Sequence, residues 1–326
     1  KVPSEEALCA LPAREEEDLS AHPGPGGWNV YGGWEDGPEL NATGAFRVER
    51  HAGAWWLVDP EGRLFWSHGV DCVGHWPGAT PITDRESYFS SLPDDDSPFA
   101  QFYGRGSNAP HGYYVNKSFR TFNYRAANLF RQYGEDFADR AIDLTHRRLR
   151  SWGFNSTGAW TERSYQAAQR TPYTVMIHHS APPIAGSSGW WGQFPDPFHS
   201  EFRTRLRRQL DSLGRQGVND DPWVIGYFID NELTWGRSPS LAMAALRSPV
   251  DQPARQALIR WLRDKYETAA ALSEAWGGEY ADWSDLDAPD VAVDEQQADA
   301  DLRTFYVRIA EKYFQVCAEE IRRFDP

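Results

Sequence analysis

Three polar side chains, Asp230, Asn231 and Glu232, follow directly on an apolar run and are the residues best suited to chemistry. The run, residues 224–229, is mostly β-branched and aromatic and is apolar on both faces of an extended chain. Such a run predicts a strand that is buried on both sides. A buried parallel strand that ends in an amide and carboxyl groups presents them at the carboxyl edge of its sheet, where α/β folds bind substrates.

Bulky apolar residues, Leu233 and Trp235, stand next to Glu232. Apolar surroundings raise the pKa of a carboxyl group and suit it to donate a proton near neutral pH. The pattern therefore predicts that Glu232 is a general acid. The structural alternative is that Asp230 or Asn231 caps the amino end of a helix, but the residues that follow do not begin a regular helical pattern. Because alternate strand residues face opposite ways, we expect Asp230 to point to the wall of the fold or to a backbone amide.

The composition is that of a globular protein, with 326 residues, 40% of them apolar and 25% charged. A formal net charge of −14 argues against a nucleic acid or an anionic membrane surface as partner and favours a neutral ligand. The three cysteines are far apart, and no set of His, Asp and Glu residues has the spacing of metal ligands. We therefore predict neither a metal nor another cofactor. No apolar run is long enough, at about eighteen residues, to predict a transmembrane helix.

Predicted strands and helices alternate along most of the chain. The predicted strands are residues 64–70, 154–160, 173–179 and 224–229, and the predicted helices between them are residues 135–152, 164–169 and 198–216. This order favours an α/β fold, the first half of a (β/α)8 TIM barrel. No glycine-rich nucleotide motif opens any of the helices, which disfavours a nucleotide-binding fold.

The segments outside this alternation are assigned by composition. Residues 1–44 are polar and rich in Pro and Gly, which favours a linker or a surface arm. Residues 46–58 predict a hairpin, and Asp-Pro-Glu-Gly at 59–62 predicts a turn. Residues 74–134 carry many aromatic residues without clear periodicity, which favours a long irregular insertion after the first barrel strand. After residue 236 the patterns predict helices at 253–265 and 299–324 and no further strand.

Fifteen tryptophans and fourteen tyrosines are an unusual content of rings that can stack on sugars. Asn155, Trp160 and His179 lie in or just after predicted strands, where they can contact sugar hydroxyls, whereas His178 should face the other way. Further candidates for substrate contact lie in loops: His75, Trp76, Trp190 and Trp191. The alternative for each of these residues is ordinary packing in the core or within a loop.

Two stretches also resemble a known family. Ile-Asp-Asn-Glu-Leu-Thr-Trp-Gly at 229–236 is similar to the end of the fourth barrel strand in clan A glycoside hydrolases, and most similar to the β-agarases of glycoside hydrolase family 50. Residues 46–73, with Leu-Val-Asp-Pro-Glu-Gly at 57–62 and Ser-His-Gly-Val-Asp-Cys at 67–72, resemble the entry into the barrel of that family. Residues 272–283 resemble an insertion of agarases and of family 42 β-galactosidases. The resemblance implies a barrel domain at residues 45–326, incomplete at its carboxyl end, so that missing residues or another chain supply the other half.

The resemblance implies a retaining hydrolase of β-galactosidic linkages in agarose or a related galactan, with Glu232 as acid/base. Asn231 would donate its amide to a sugar hydroxyl beside the reacting carbon. A retaining enzyme also needs a nucleophilic carboxyl about 5 Å away, and in clan A this residue ends strand seven, which the sequence does not contain. We therefore name no nucleophile.

Two alternatives remain: a β-galactosidase-like exo-glycosidase, and a non-catalytic half-barrel that binds sugar. An enzyme acting on the polymer would be extracellular or periplasmic, and one acting on oligosaccharides cytoplasmic.

Overall fold

The computed structural model describes residues 4–288 and 291–326. The chain forms two compact units, Lys1–Met176 with Asp221–Gly226, and Ile177–Asp220 with Tyr227–Pro326. Within the described ranges, no helix combines the length and the apolar character that crossing a lipid bilayer requires.

The first unit contains most of the strands. They are β1 (Arg47–His51), β2 (Ala54–Val58), β3 (Leu64–Phe65), β4 (Gly69–Val70), β5 (Ala79–Pro81), β6 (Tyr103–Ser107), β7 (Ser118–Asn123), β8 (Ser156–Thr157), β9 (Tyr173–Ile177) and β10 (Val224–Ile229), of which Ile177 and Tyr227–Ile229 are counted with the second unit. Its helices are α1 (Glu5–Cys9), α2 (Leu11–Ala21), α3 (Tyr124–Tyr133), α4 (Phe137–Ser151) and α5 (Arg163–Gln166). Short 3-10 turns lie at Trp76–Gly78, Glu86–Tyr88, Pro98–Phe102 and Gly134–Asp136.

Four strands form the sheet that the alternating pattern predicts, in the order β4, β8, β9, β10. β4 runs parallel to β8, and β8 runs parallel to β9. The N–H of Tyr173 donates to the carbonyl of Trp223 at one end of β9, and the N–H of Asp230 donates to the carbonyl of Ile177 at the other. Both ends therefore pair in the same direction, as in a parallel sheet. This sheet and the crossover helices confirm the α/β class.

β10 is less buried than its sequence predicts. Val224 is buried, but Phe228 is 57% exposed. β10 is the end strand in the order of the sheet, so among the described residues it has a hydrogen-bonded neighbouring strand on one side only. An apolar run therefore does not ensure burial on both faces when the strand lies at the edge.

The predicted hairpin and turn are confirmed. β1 and β2 pair antiparallel, and β2 pairs with β3. In the turn that follows β2, the side chain of Asp59 accepts hydrogen bonds from the N–H groups of Glu61 and Arg63 at 3.0 and 2.9 Å. Gly62 has φ +87°, and a Cβ there would lie 2.2 Å from the carbonyl oxygen of Leu40. Only glycine fits this position.

The predicted first barrel strand, residues 64–70, is divided in the structure. Leu64–Phe65 pairs with β2, and only Gly69–Val70 joins the parallel sheet. Between them the backbone N–H of His68 donates to the side chain of Asn155 at 2.8 Å. A side chain thus takes a backbone group that a continuous strand would use in its ladder.

Residues 74–134 are not irregular, and that expectation is wrong. β5, β7 and β6 form an antiparallel sheet, and α3 follows it. The core beneath them is made of six residues: Ile82, Phe102, Phe122, Ala126, Ala127 and Phe137. The strands are too short for a periodic pattern, and the rings that suggested an exposed aromatic loop instead build this core.

Residues 5–9 and 11–21 are helical, so an extended arm does not describe this part of the amino-terminal segment. Glu15 pairs with Arg148, and Glu16 accepts two hydrogen bonds from Arg147 at 2.8 and 2.7 Å. The acidic run that suggested a solvated linker therefore binds arginines of α4. Whether residues 1–44 are a separate linker stays a prediction.

The second unit is helical. Its helices are α6 (Ser200–Gly214), α7 (Ser240–Leu246), α8 (Pro253–Tyr266), α9 (Ala269–Trp276) and α10 (Glu295–Phe324), with 3-10 turns at Val218–Asp220 and Trp283–Asp287. α10 buries one face against its neighbours, through Leu302, Phe305, Ile309, Tyr313 and Val316. α6 contributes the opposing residues Phe202, Leu206 and Leu210. The helices predicted at 253–265 and 299–324 are confirmed.

Candidate active site

The turn that follows β10 has a strained backbone. Asp230 has φ +56° and Glu232 has φ +51°, and these two residues flank Asn231. For residues other than glycine, this left-handed region costs about 1 kcal/mol or more per residue, so the surrounding structure must hold the turn in place. Such strain is concentrated at functional sites and marks this turn as a candidate.

The carboxyl group of Asp230 holds the turn through two hydrogen bonds. Its carboxyl oxygen Oδ1 accepts the backbone N–H of His179 at 3.1 Å, and Oδ2 accepts the hydroxyl of Tyr313 at 3.0 Å. The same hydroxyl lies 3.2 Å from the carbonyl oxygen of Ile229. Asp230 therefore points to a backbone amide, as expected from the sequence.

Glu232 projects from this turn into solvent. Its side chain is exposed, and Oε2 accepts the indole N–H of Trp191 at 2.5 Å. The apolar enclosure expected from Trp235 is not present, because that ring packs against Phe194 and Phe314 at centroid distances of 4.7 and 5.8 Å. A large ring gains more from burial among other rings than from covering a carboxyl group.

The loop that carries Trp190 and Trp191 is ordered by its own hydrogen bonds. The N–H of Ile184 donates to the carbonyl of Phe194 at 2.8 Å, and the hydroxyl of Ser187 donates to the carbonyl of Ile184 at 2.6 Å. At the tip, Trp190 and Trp191 are 67% and 52% exposed. These two rings stand nearly perpendicular, with centroids 6.4 Å apart. The structure thus brings two exposed rings and a carboxyl group together.

The tip of this loop lies against the turn. A Cβ added to Gly189 would lie 2.3 Å from Oγ1 of Thr234. A residue with a side chain would therefore push the loop away from the segment that carries Glu232. Asn231 lies between the two strained residues and is partly buried.

The two histidines after β9 have the opposite exposure to that predicted. His179 has a fully buried side chain that packs edge-on against Phe202 at 4.4 Å, whereas His178 is exposed. The alternating burial of β9 continues past its last residue, because Tyr173, Val175, Ile177 and His179 are buried whereas His178 is exposed. His179 therefore lies on the face of β9 that packs against α6. His179 is placed behind the turn, where it is shielded from solvent.

In the first unit, His75 is buried and Trp76 is half exposed. Nδ1 of His75 lies 3.1 Å from the hydroxyl of Tyr165 and 3.5 Å from Oε2 of Glu162. Burial lowers the pKa of His75, which favours the neutral imidazole at neutral pH. The backbone N–H of Trp76 donates to Oε1 of Glu162. The pair predicted to stack on substrate therefore contains one exposed ring and one packed ring.

Asn155 and Trp160 also differ from each other. The amide nitrogen of Asn155 donates to the carbonyls of Gly32 and Trp66, each at 3.0 Å, and its oxygen accepts the N–H of His68 at 2.8 Å. Both amide hydrogens are therefore used inside the fold. Trp160 is 45% exposed and has φ +57°.

Within residues 4–288 and 291–326, no group of three or more His, Cys, Asp and Glu side chains is arranged to hold a metal ion. Cys9 and Cys72 are exposed and Cys317 is buried, and none of them forms a disulfide. Burial raises the pKa of Cys317 to about 12, with a further contribution from Asp230.

A comparison with models of known families agrees with the fold and the site described above. Residues 193–326 match the model of glycoside hydrolase family 42, described as Beta-galactosidase. The α/β content, the parallel sheet and this match fit a TIM-barrel-like glycosidase.

Individual relatives are more specific. The chain is 29% identical over 360 residues to Beta-agarase B of Vibrio sp. (strain JT0107), covering 100% of this chain and 37% of the relative. It is 26% identical over 348 residues to Beta-agarase A of the same strain, covering 96% of this chain and 34% of the relative. The similarity to β-agarases predicted from the sequence is thereby confirmed.

Solved structures agree. The crystal structure of an agarase, AgWH50C, superposes with a TM-score of 0.89 at 29% identity, covering 100% of this chain and 50% of that one. An exo-beta-agarase superposes with a TM-score of 0.92 at 28% identity, covering 100% and 51%. The chain spans about half the length of these solved chains and 37% of the length of the first curated relative.

Proposed function

We propose that this chain is part of the catalytic domain of a retaining glycoside hydrolase that cleaves β-galactosidic linkages in agarose or a related galactan. The observation that carries the proposal is Glu232, exposed on a strained turn at the carboxyl end of a parallel strand and hydrogen-bonded to Trp191. Similarity to β-agarases over the whole of this chain supports the choice of substrate.

In the proposed reaction, Glu232 protonates the oxygen of the leaving sugar. The hydrogen bond from Trp191 orients the carboxyl group, and the rings of Trp190 and Trp191 offer faces on which sugar rings stack. Asn231 donates its amide to a hydroxyl beside the reacting carbon. A second carboxyl group about 5 Å from Glu232 acts as the nucleophile in such enzymes.

The architecture proposed for residues 45–326 is the first half of a (β/α)8 barrel, in which residues 74–134 are an insertion after strand one. Four strands in sequential order support it. The solved relatives are about twice as long as this chain, which supports a second half from residues outside this sequence or from another chain. That half would contain strand seven and the nucleophile.

The remaining candidates divide by exposure. Trp76 and Trp160 are exposed enough to stack on a sugar. His75, Asn155 and His179 are buried, so we propose that they act indirectly by supporting the segments that carry exposed residues.

The test is Glu232→Gln in the complete enzyme, assayed on agarose and agaro-oligosaccharides. Loss of a general acid should lower kcat by about 10²–10⁴-fold, because the leaving oxygen is no longer protonated. Glu201→Gln is the matched control, since Glu201 is an exposed carboxyl on α6 that pairs with Arg205. Equal activity of Glu232→Gln and wild type would overturn the proposal.

A β-galactosidase is the second candidate, and the family 42 match at residues 193–326 favours it. Cleavage of aryl β-galactosides without release of sugars from agarose would select it. If wild type and Glu232→Gln bind agaro-oligosaccharides equally and neither turns them over, the chain is instead a binding module.

A further inference from the structure

Four segments of the second unit meet behind the turn that carries Glu232. Asp230 from the end of β10, His179 after β9, Phe202 from α6 and Tyr313 from α10 form what we call the Asp230 cluster. Asp230 accepts from the backbone of His179 at 3.1 Å and from the hydroxyl of Tyr313 at 3.0 Å. Phe202 packs against both rings, at centroid distances of 4.4 Å from His179 and 5.5 Å from Tyr313.

The cluster is buried. The side chain of His179 is fully buried, and Phe202 and Tyr313 are 0% and 3% exposed. Burial raises the pKa of Tyr313, and the nearby Asp230 raises it further, so the hydroxyl stays protonated and remains a donor.

The ring of His179 in this cluster lowers the stability of the fold. Nδ1 of His179 lies 3.1 Å from Oδ2 of Asp230 but without hydrogen-bond geometry, and Nε2 has no hydrogen-bond partner among the described residues. A buried polar atom without a partner costs about 1–3 kcal/mol. The buried histidine and the two left-handed residues therefore both destabilise this turn, which keeps a specific geometry at the expense of stability.

The link to the candidate acid is short. Asp230 and Glu232 are separated by one residue, and both have positive φ. A turn with two such residues relaxes to ordinary backbone geometry unless something holds it. The hydroxyl of Tyr313 lies within hydrogen-bond distance of both the side chain of Asp230 and the carbonyl of Ile229, and its single proton holds the chain where β10 passes into the turn.

We propose that the Asp230 cluster is the positioning device of the acid: Tyr313 and His179 hold Asp230, and Asp230 holds the turn from which Glu232 reaches the leaving oxygen. This inference rests on the proposed function and assigns positioning roles to residues that do not themselves touch the substrate. Glu232 keeps its carboxyl group when the cluster is disturbed, but the group is displaced.

The test is Tyr313→Phe in the complete enzyme, because this change removes one hydroxyl and keeps the ring. We expect kcat on agaro-oligosaccharides to fall about 10–100-fold with little change in KM, since misplacing a catalytic group by about 1 Å costs this much. On an oligosaccharide with an activated aryl leaving group, which needs no proton, the rate of bond cleavage should change less than about three-fold.

The matched control is Tyr266→Phe. Tyr266 donates its hydroxyl to Oδ2 of the buried Asp301 at 2.6 Å, so the control removes the same kind of bond elsewhere on α10. The rates of Tyr266→Phe on both substrates should equal those of the wild type. If the two variants behave alike, or if Tyr313→Phe slows both substrates equally, the positioning role is overturned.

Asp230→Asn is the second variant, in case Tyr313→Phe does not fold, and it should give the same dependence on leaving group. The failures are distinguishable. If Glu232→Gln is fully active, the proposed function fails. If Glu232→Gln is inactive while Tyr313→Phe and Asp230→Asn match wild type on both substrates, only the positioning role fails.

Discussion

Asn155 and Asp230 are both polar residues with partly or fully buried side chains at the ends of parallel strands, yet their surroundings differ. Asn155 precedes β8, donates both amide hydrogens to backbone carbonyls and accepts a backbone N–H with its oxygen. Asp230 follows β10 in a left-handed conformation and is separated by one residue from an exposed carboxyl group. The first arrangement holds segments together, and the second holds a strained turn that presents Glu232. A polar residue at a strand end is therefore a poor marker of function until strain and exposure beside it are known.

The largest effect on stability should come from a third buried polar group, Glu320 on α10. It is 1% exposed and accepts hydrogen bonds from Arg207, Arg203 and Arg323. Hydrogen bonding, led by Arg207, lowers the pKa of Glu320 to about 2. Because Glu320 is buried and bound to three arginines, Glu320→Gln should lower the free energy of unfolding by about 3 kcal/mol at pH 7.

The pH dependence follows from the sign of this shift. Because the folded pKa lies below the ordinary 4.5, the contribution is complete above pH 4.5 and is lost as pH falls toward about 2. Urea unfolding of wild type and Glu320→Gln should therefore converge at low pH. Glu319→Gln, a partly exposed neighbour that also pairs with Arg203, is the control and should change stability little. A constant difference between pH 7 and pH 2.5 would contradict this account.

Asn155→Ala should have the next largest effect. It leaves two carbonyls and one N–H without their partner, which should lower the free energy of unfolding by about 2 kcal/mol. The activity per folded molecule should change little, since the enclosed side chain supports its segment and does not itself reach the substrate. The exposed Asn128 on α3 provides Asn128→Ala as control. A large loss of kcat with unchanged stability would show that Asn155, like Asp230, helps to position the catalytic site.

Trp191→Phe should have the smallest effect and should act on rate rather than on stability. It keeps an aromatic ring but removes the N–H that donates to Glu232 at 2.5 Å. One hydrogen bond to an exposed group contributes about 1 kcal/mol, which corresponds to about a five-fold loss of kcat. Trp152→Phe, at an exposed tryptophan just after α4, is the control for the substitution itself. Identical rates for the two variants would remove Trp191 from the site.

Much of the fold could be predicted because local physics determines it. The turn at 59–62 follows from Pro and Gly chemistry, and α10 follows from the spacing of its apolar residues. The position of Glu232 directly after β10 could also be read from the chain, because an apolar run ends there.

The errors arise where distant contacts decide. Glu16 pairs with Arg147, 131 positions along the chain, so its own neighbourhood could not indicate a helix packed on α4. Trp235 packs among other rings and does not enclose Glu232, and His179 is buried because its face of β9 packs against Phe202 of α6. The cluster around Asp230 was missed because Tyr313 lies 83 positions away and appears in the sequence only as one apolar-face residue of a helix.

The central claim is that Glu232 acts as the acid/base, and azide rescue of Glu232→Ala tests it most directly. With an activated aryl substrate, the variant should form the glycosyl-enzyme and then stall, because no base activates water. Added azide needs no base, so turnover should rise by about ten-fold or more and give a glycosyl azide of retained configuration. Absence of rescue, with no azide product while the variant remains folded, would contradict the assignment of Glu232.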